Sequence, residues 1–228
     1  MLVYSLGCYD RHFRFYDATS MHKATLLLVF LLGLVMAVPA PFGSLLGVTH
    51  GNTSVFSCDH PPEDNPNYHP PGTDESNGTY TGLRWQCVEL ARRYLFINRN
   101  LLFASVDGAV DIFNLTTITD VGNNVSVPFV PHAQGSATPP VRGSLLIYKD
   151  VGKYAPWGHV AVVVDVESSH IDIAEQNVED SVWPPGQGYS RRLNVTRSSS
   201  SFTVGKYYRD DNEEVVLGWM TAALHPAC

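Results

Sequence analysis

Apolar residues recur along this chain with two different periods, and the change of period divides it. Between residues 84 and 98, Leu90, Ala91, Tyr94 and Leu95 follow a near-helical repeat, with Arg92 and Arg93 on the flank. That spacing predicts an amphipathic helix. A second helix is predicted within 105–121, around Ala109–Phe113. From residue 144 the pattern becomes β: Ser144–Tyr148, His159–Val166, His170–Ala174, Tyr189–Val195, Phe202–Tyr208 and Val215–Met220. Residues 41–80 and 128–142 are dense in Pro, Gly, Asn and Asp, above all the 59–72 stretch, and predict loops. Helices first and consecutive strands afterwards predict an α+β domain, with N-terminal helices packed on one face of an antiparallel β-sheet.

The N-terminal region reads differently. Residues 24–38 are an uncharged apolar run, preceded by Lys23 and followed by the small-residue stretch Val38-Pro39-Ala40. This is the three-part layout of a secretory signal peptide. The run is short for a membrane span, so the expected organisation is a leader over 1–40 and one domain over 41–228. Met21 offers a second start. Five N-x-S/T sequons, at Asn52, Asn77, Asn114, Asn124 and Asn194, fit export. The expected location is extracellular; a retained run 24–38 would give a membrane-anchored form, and a vesicular lumen is the other alternative. The chain has 228 residues, 44% hydrophobic, enough for one real core. Its net charge is −7 with Lys and Arg scattered, which excludes a nucleic-acid partner.

Cysteine usage sharpens the picture. Cys8 lies ahead of the apolar run, within the expected leader region, so three cysteines remain in the mature chain, and an odd count in an exported protein flags a free thiol. A Cys58–Cys228 disulfide is the simplest solution, leaving Cys87 reduced; other pairings stay open. Cys87 stands in the first turn of the predicted helix, where unpaired N–H groups and partial positive charge stabilise a thiolate and an oxyanion. His159 opens a valine-rich strand after a glycine and is the candidate base. Glu175 closes the next strand and is the candidate orienter of the imidazole, with Asn177 as runner-up. The two strands must then be joined by an odd-length connection, because a two-residue turn would put His159 and Glu175 on opposite faces. Gln86 can donate to an oxyanion beside the Cys87 N–H. Taken singly, a helical cysteine or a strand-end histidine is usually structural; the combination in this order is what points to a thiol hydrolase. Glu89 reads as a surface or ion-pair residue. His60, His69 and Asp59 match no metal-ligand motif, so no metal or cofactor is expected.

At these residues the chain resembles the CHAP family of cysteine- and histidine-dependent amidohydrolases and peptidases. Within it, the chain is similar to glutathionylspermidine amidase domains and to D-alanyl-glycyl endopeptidase-like proteins. The segments that carry the resemblance are Gly43–Gly47, Trp85–Arg93, Gly143–Ile147, Gly158–Ala161, Ile173–Val178 and Leu217–Met220. The resemblance implies a papain-like fold, a Cys87–His159–Glu175 triad, and a cleft lined by Gln86, Arg92 and Asn177, with Arg92 holding a substrate carboxylate. The expected activity is that of a secreted thiol amidohydrolase or endopeptidase cutting an amide beside a small acyl group. A D-alanyl-glycyl bond in a peptidoglycan stem or cross-bridge comes first, and release of spermidine from a glutathione conjugate second. A catalytically inactive wall-binding module is the alternative of another class, and the intact Cys, His and Glu count against it.

Overall fold

Strand pairing brings segments from both halves of the chain into one antiparallel sheet. The computed structural model describes residues 38–63, 65–70, 75–207 and 214–222. Its elements, all in the unit Pro39–Cys228, are β1 (Leu45–Val48), β2 (Ser54–Phe56), β3 (Pro66–His69), β4 (Thr79–Leu83), α1 (Cys87–Arg99), β5 (Leu101–Leu102), β6 (Thr117–Asp120), β7 (Val125–Ala133), β8 (Leu145–Tyr148), β9 (His159–Val166), β10 (His170–Ala174), β11 (Arg191–Arg197), β12 (Phe202–Val204) and β13 (Val216–Ala222). The main sheet runs β12-β11-β10-β9-β8-β13-β7-β6-β5, and β1-β2 and β3-β4 form separate hairpins. The run 24–37 and Cys228 lie outside the described residues. Among those described, no helix is long and apolar enough to cross a membrane.

The domain is mostly sheet, which corrects the expectation of several N-terminal helices: α1 is the single α-helix among the described residues. The second expected helix is a short 3₁₀ helix, Ala109–Asn114. The stretches expected to be loops hold strands. Residues 41–80 carry β1 to β3 and the start of β4, and β7 runs through Pro128 and Pro131. Those prolines are tolerated because β7 has one partner at a time: 125–128 pair with β6 and 129–133 with β13. Each half therefore behaves as an edge, where a missing N–H breaks no ladder on the open side.

The core explains the valine run of β9. Val160, Val162 and Val164 pack with Leu90 and Leu95 of α1, while Ala161 and Val163 join Ile171, Ile173, Leu193 and Trp219 on the other face. A strand covered on both faces loses the apolar–polar alternation and reads as continuous hydrophobics. The helix flank is corrected too: Arg92 and Arg93 are buried, each about 5% exposed. At its C-terminus α1 stops on Asn100, left-handed at φ 55°, whose N–H reaches the Leu95 and Phe96 carbonyls.

The register between β9 and β10 decides where the candidate site residues point. The Glu167 N–H bonds the His170 carbonyl at 2.9 Å, so Ser168 and Ser169 make a two-residue turn. Continued unbroken, that register puts His159 and Glu175 on opposite faces. It is not continued. Asp172 pairs with Asp165 but Ile173 pairs with Val163, leaving Val164 without a partner. This β-bulge shifts the pairing by one residue and returns Glu175 to the face of His159. The odd-length condition is thus met inside the strand and not in the turn.

A second register shift, between Val216 and Gly218 of β13, sets a prediction. Gly218 has φ 153°, and a methyl group there would run into the His132 carbonyl. Gly218→Ala is expected to destabilise the fold by about 3 kcal/mol, read by thermal or urea denaturation; a change within experimental error would contradict this packing.

Candidate active site

The candidate nucleophile sits where the helix leaves its backbone donors open. Gln86 precedes α1 in extended conformation (φ −72°, ψ 159°), and no side chain caps the first turn. The Cys87 N–H at the head of that turn therefore stays available to a ligand. The His159 ring and the Val160 and Val88 N–H groups all act on the Cys87 thiol. On the far side of the ring, His159 Nε2 meets Glu175 Oε2 at 3.0 Å, which leaves Nδ1 for the sulfur. The three groups are buried in one row.

Their charges are mutually dependent. Burial alone would push the Cys87 thiol up, but His159 and the two N–H groups outweigh it and hold the thiol below its ordinary value. Burial would likewise lower His159, yet Cys87 and Glu175 raise it to about 9. Burial would raise Glu175, but Arg191 and His159 bring it down to about 2. The row favours a thiolate, an imidazolium and a carboxylate. Cys58 is a contrast. It too is a buried free thiol, and burial pushes it up to about 11. The expected Cys58–Cys228 disulfide is therefore corrected for Cys58, which lies in the core with its thiol free, while Cys228 is outside the described residues.

A buried polar cluster fixes the helix start against the segment after β10. Glu89, fully buried, accepts from Asn67 at 2.7 Å, Thr81 at 3.1 Å, Arg93 at 2.6 Å and Gln176 at 3.2 Å. Gln176 in turn accepts from Arg93 Nη2 at 3.1 Å and from the Phe56 N–H at 2.9 Å. Asn177 Nδ2 donates to Gln86 Oε1 at 2.7 Å. Asn177 thus contacts Gln86 and leaves the imidazole to Glu175. Bonded through its oxygen, Gln86 keeps its amide N–H groups for a ligand.

Residues 77–177 match the CHAP domain. This stretch contains Cys87, His159, Glu175, Gln86, Arg92 and Asn177. The chain contains a CHAP domain. Over 183 residues it is 36% identical to the bifunctional glutathionylspermidine synthetase/amidase of Escherichia coli (strain K12), covering 79% of this chain and 29% of that protein. The same figures hold for the Shigella flexneri protein of that name. Trypanothione synthetase of Crithidia fasciculata is 27% identical over 183 residues, 79% of this chain and 26% of that protein. The chain spans under a third of the length of these curated relatives.

In the CHAP domain, Cys87 and His159 open onto a cleft of about 580 Å³ that Gln86, Arg92 and Asn177 also line. Arg92 is held by the Phe103 and Tyr80 carbonyls, with no carboxylate partner among the described residues. Its Nε has no hydrogen-bond partner there. Three residues escaped the sequence reading. Tyr154 stacks on the His159 ring at 4.7 Å and 11°. Arg191 forks onto Glu175, and Glu214 pairs with Arg191 at 2.9 Å. Only the paired Arg191-Arg192 at a strand start was visible, and nothing in the sequence linked it to Glu175.

Alkylation of Cys87 by iodoacetamide is expected to have its midpoint below the ordinary thiol value of about 8.5. Glu175→Gln is expected to raise that midpoint by about one unit or more, because the thiol then titrates beside a neutral ring. The imidazolium's contribution to stability is complete below the ordinary histidine value and is lost as pH rises through about 9. An unchanged midpoint in Glu175→Gln would contradict this coupling.

Proposed function

We propose that this chain is a thiol amidohydrolase with Cys87 as nucleophile, His159 as acid and base, and Glu175 as the residue that orients the imidazole. The observation that carries the reading is the buried row of these three groups at the open start of α1. The thiolate attacks the carbonyl carbon of the scissile amide. The oxyanion forms beside the Cys87 N–H and the Gln86 amide. His159 protonates the departing amine, leaving a thioester on Cys87 and a neutral ring. The ring then takes a proton from water, hydroxide attacks the thioester, and the acid leaves as the thiolate–imidazolium pair returns. The arrangement is papain-like, and it requires no metal or cofactor.

The substrate class follows from the cleft and from likeness. The Arg92 guanidinium, which lines the cleft with no carboxylate partner among the described residues, favours a substrate with a carboxylate, and we assign the position beside Cys87 to a small acyl group such as glycyl. A polyamine amide of glutathione has both. Likeness to two proteins named glutathionylspermidine synthetase/amidase supports placing it first, reversing the order expected from the leader alone. A D-alanyl-glycyl peptide bond of peptidoglycan is the second reading. It is favoured by the signal-like run at 24–38 and by the exposure of all five sequon asparagines, Asn52, Asn77, Asn114, Asn124 and Asn194. Exposure is what glycosylation in a secretory lumen needs, and we place the protein in that route.

Purified protein is expected to release spermidine from glutathionylspermidine, and Cys87→Ala to lose about 10⁴-fold or more in kcat. Arg92→Leu is expected to raise KM more than it lowers kcat. Hydrolysis of cell-wall sacculi alone would restore the second reading. Absence of both activities, with Cys87 no more reactive than a model thiol, would end the proposal.

A further inference from the structure

Beyond Glu175 the hydrogen-bonded row does not stop. Arg191 Nε and Nη2 grip both oxygens of Glu175, the Nη2 contact being 2.9 Å. Glu175 Oε2 therefore binds Arg191 and His159 together. Arg191 Nη2 also meets Glu214 Oε1 at 2.9 Å. Glu214 accepts from the Tyr154 hydroxyl at 3.2 Å, and the same hydroxyl accepts from Arg191 Nη2 at 3.3 Å. The Tyr154 ring returns to lie flat against His159. Each of these charged groups is buried, the side chains of Glu175, Arg191 and Glu214 being 3%, 2% and 1% exposed.

We propose that Arg191 and Glu214 are positioning residues of the thiol centre: together with Tyr154 they close a buried circuit that fixes the Glu175 carboxylate and keeps its charge available to the imidazolium. This rests on the thiol-amidohydrolase reading above. The physical need is specific. A bidentate guanidinium holds a carboxylate plane more firmly than any single donor. The same guanidinium places a second cation on the one carboxylate that serves His159. Left uncompensated, Arg191 would draw the Glu175 charge away from the ring. Glu214, on the far side of Arg191, offsets it. Charge then alternates from Cys87 through His159, Glu175 and Arg191 to Glu214.

The groups facing this circuit come from every element packed on it. They are Cys87 from α1, Tyr148 from β8, Lys153 and Tyr154 from the turn at 152–154, Arg191 from β11, Tyr207 after β12 and Glu214 ahead of β13, with Glu179 acting through Lys153. Burial would lower Arg191, but Glu175 and its neighbours raise it far above its ordinary value, so it does not titrate in the working range. The pH response of the circuit is therefore that of His159 and Cys87.

The test is the pH profile of Cys87 alkylation by iodoacetate, whose negative charge makes it react fastest while the imidazole is protonated. The basic limb of that profile reports His159. In Glu214→Gln the limb is expected to move to lower pH by about half a unit or more, with kcat on an amide substrate down about 10-fold and KM little changed. Arg191→Lys, which keeps the charge and loses the fork, is expected to lower kcat by about 10-fold or more. Tyr154→Phe keeps the stacked ring and removes the hydroxyl. It is expected to shift the limb in the same direction by less, and it replaces any variant that does not fold. Folded variants whose alkylation profiles match the wild type would overturn the proposal. A wild type that alkylates as an activated thiol but hydrolyses no amide would overturn the functional reading and leave the circuit standing.

Discussion

One buried charge pair organises this domain: a sulfur anion at Cys87 against an imidazolium at His159. Neither ion is stable alone in an apolar interior, where a lone charge costs several kcal/mol. Each exists because the other does, and Glu175 on the far side of the ring tips the balance toward the charged forms. The fold satisfies three conditions for this pair. The sulfur lies at a helix start, the imidazole at the mouth of a strand, and the carboxylate on the neighbouring strand in matching register. Without His159 or Glu175 beside it, the thiol loses the charge that holds it low, while Glu175 stays ionised against Arg191.

Precision at such a site comes from buried polar contacts as well as from apolar packing. Glu89 and Arg93 are one helical turn apart and both buried, and with Asn67, Thr81 and Gln176 they lock the first turn of α1 to the segment carrying Glu175 and Asn177. A polar cluster of this kind adds little net stability over a well-packed apolar one, but it has few alternative arrangements. Cys58 shows the opposite case. There burial pushes the thiol up to about 11, and the nearby Asp180 adds to the rise.

Much of this was legible in the chain. The valine run gave β9 its bounds to the residue, and the period around Leu90 and Tyr94 gave the helix, with a start three residues before the observed Cys87. Cys87, His159 and Glu175 stood out for their places at element ends. Other features were hidden for physical reasons. Strand β7 passes through two prolines, which only its split pairing permits. Arg92, Arg93 and Glu89 have the composition of a solvated helix face, yet all three are buried, with Arg93 and Glu89 bonded to Ser54, Asn67 and Gln176 from other segments. The bulge at Val164 leaves no mark in a run of valines, although it decides which way Glu175 points. Arg191 meets Glu175, and Glu214 meets Arg191, only once three separate segments are assembled.

The pair itself can be observed directly. The ultraviolet absorbance of a thiolate, taken as the difference between wild type and Cys87→Ser across a pH titration, reports the ionisation of this one sulfur. The account predicts that Cys87 is already a thiolate at neutral pH, with a midpoint well under the ordinary thiol value of about 8.5. A midpoint at or above that value would show that sulfur and imidazole do not share a proton.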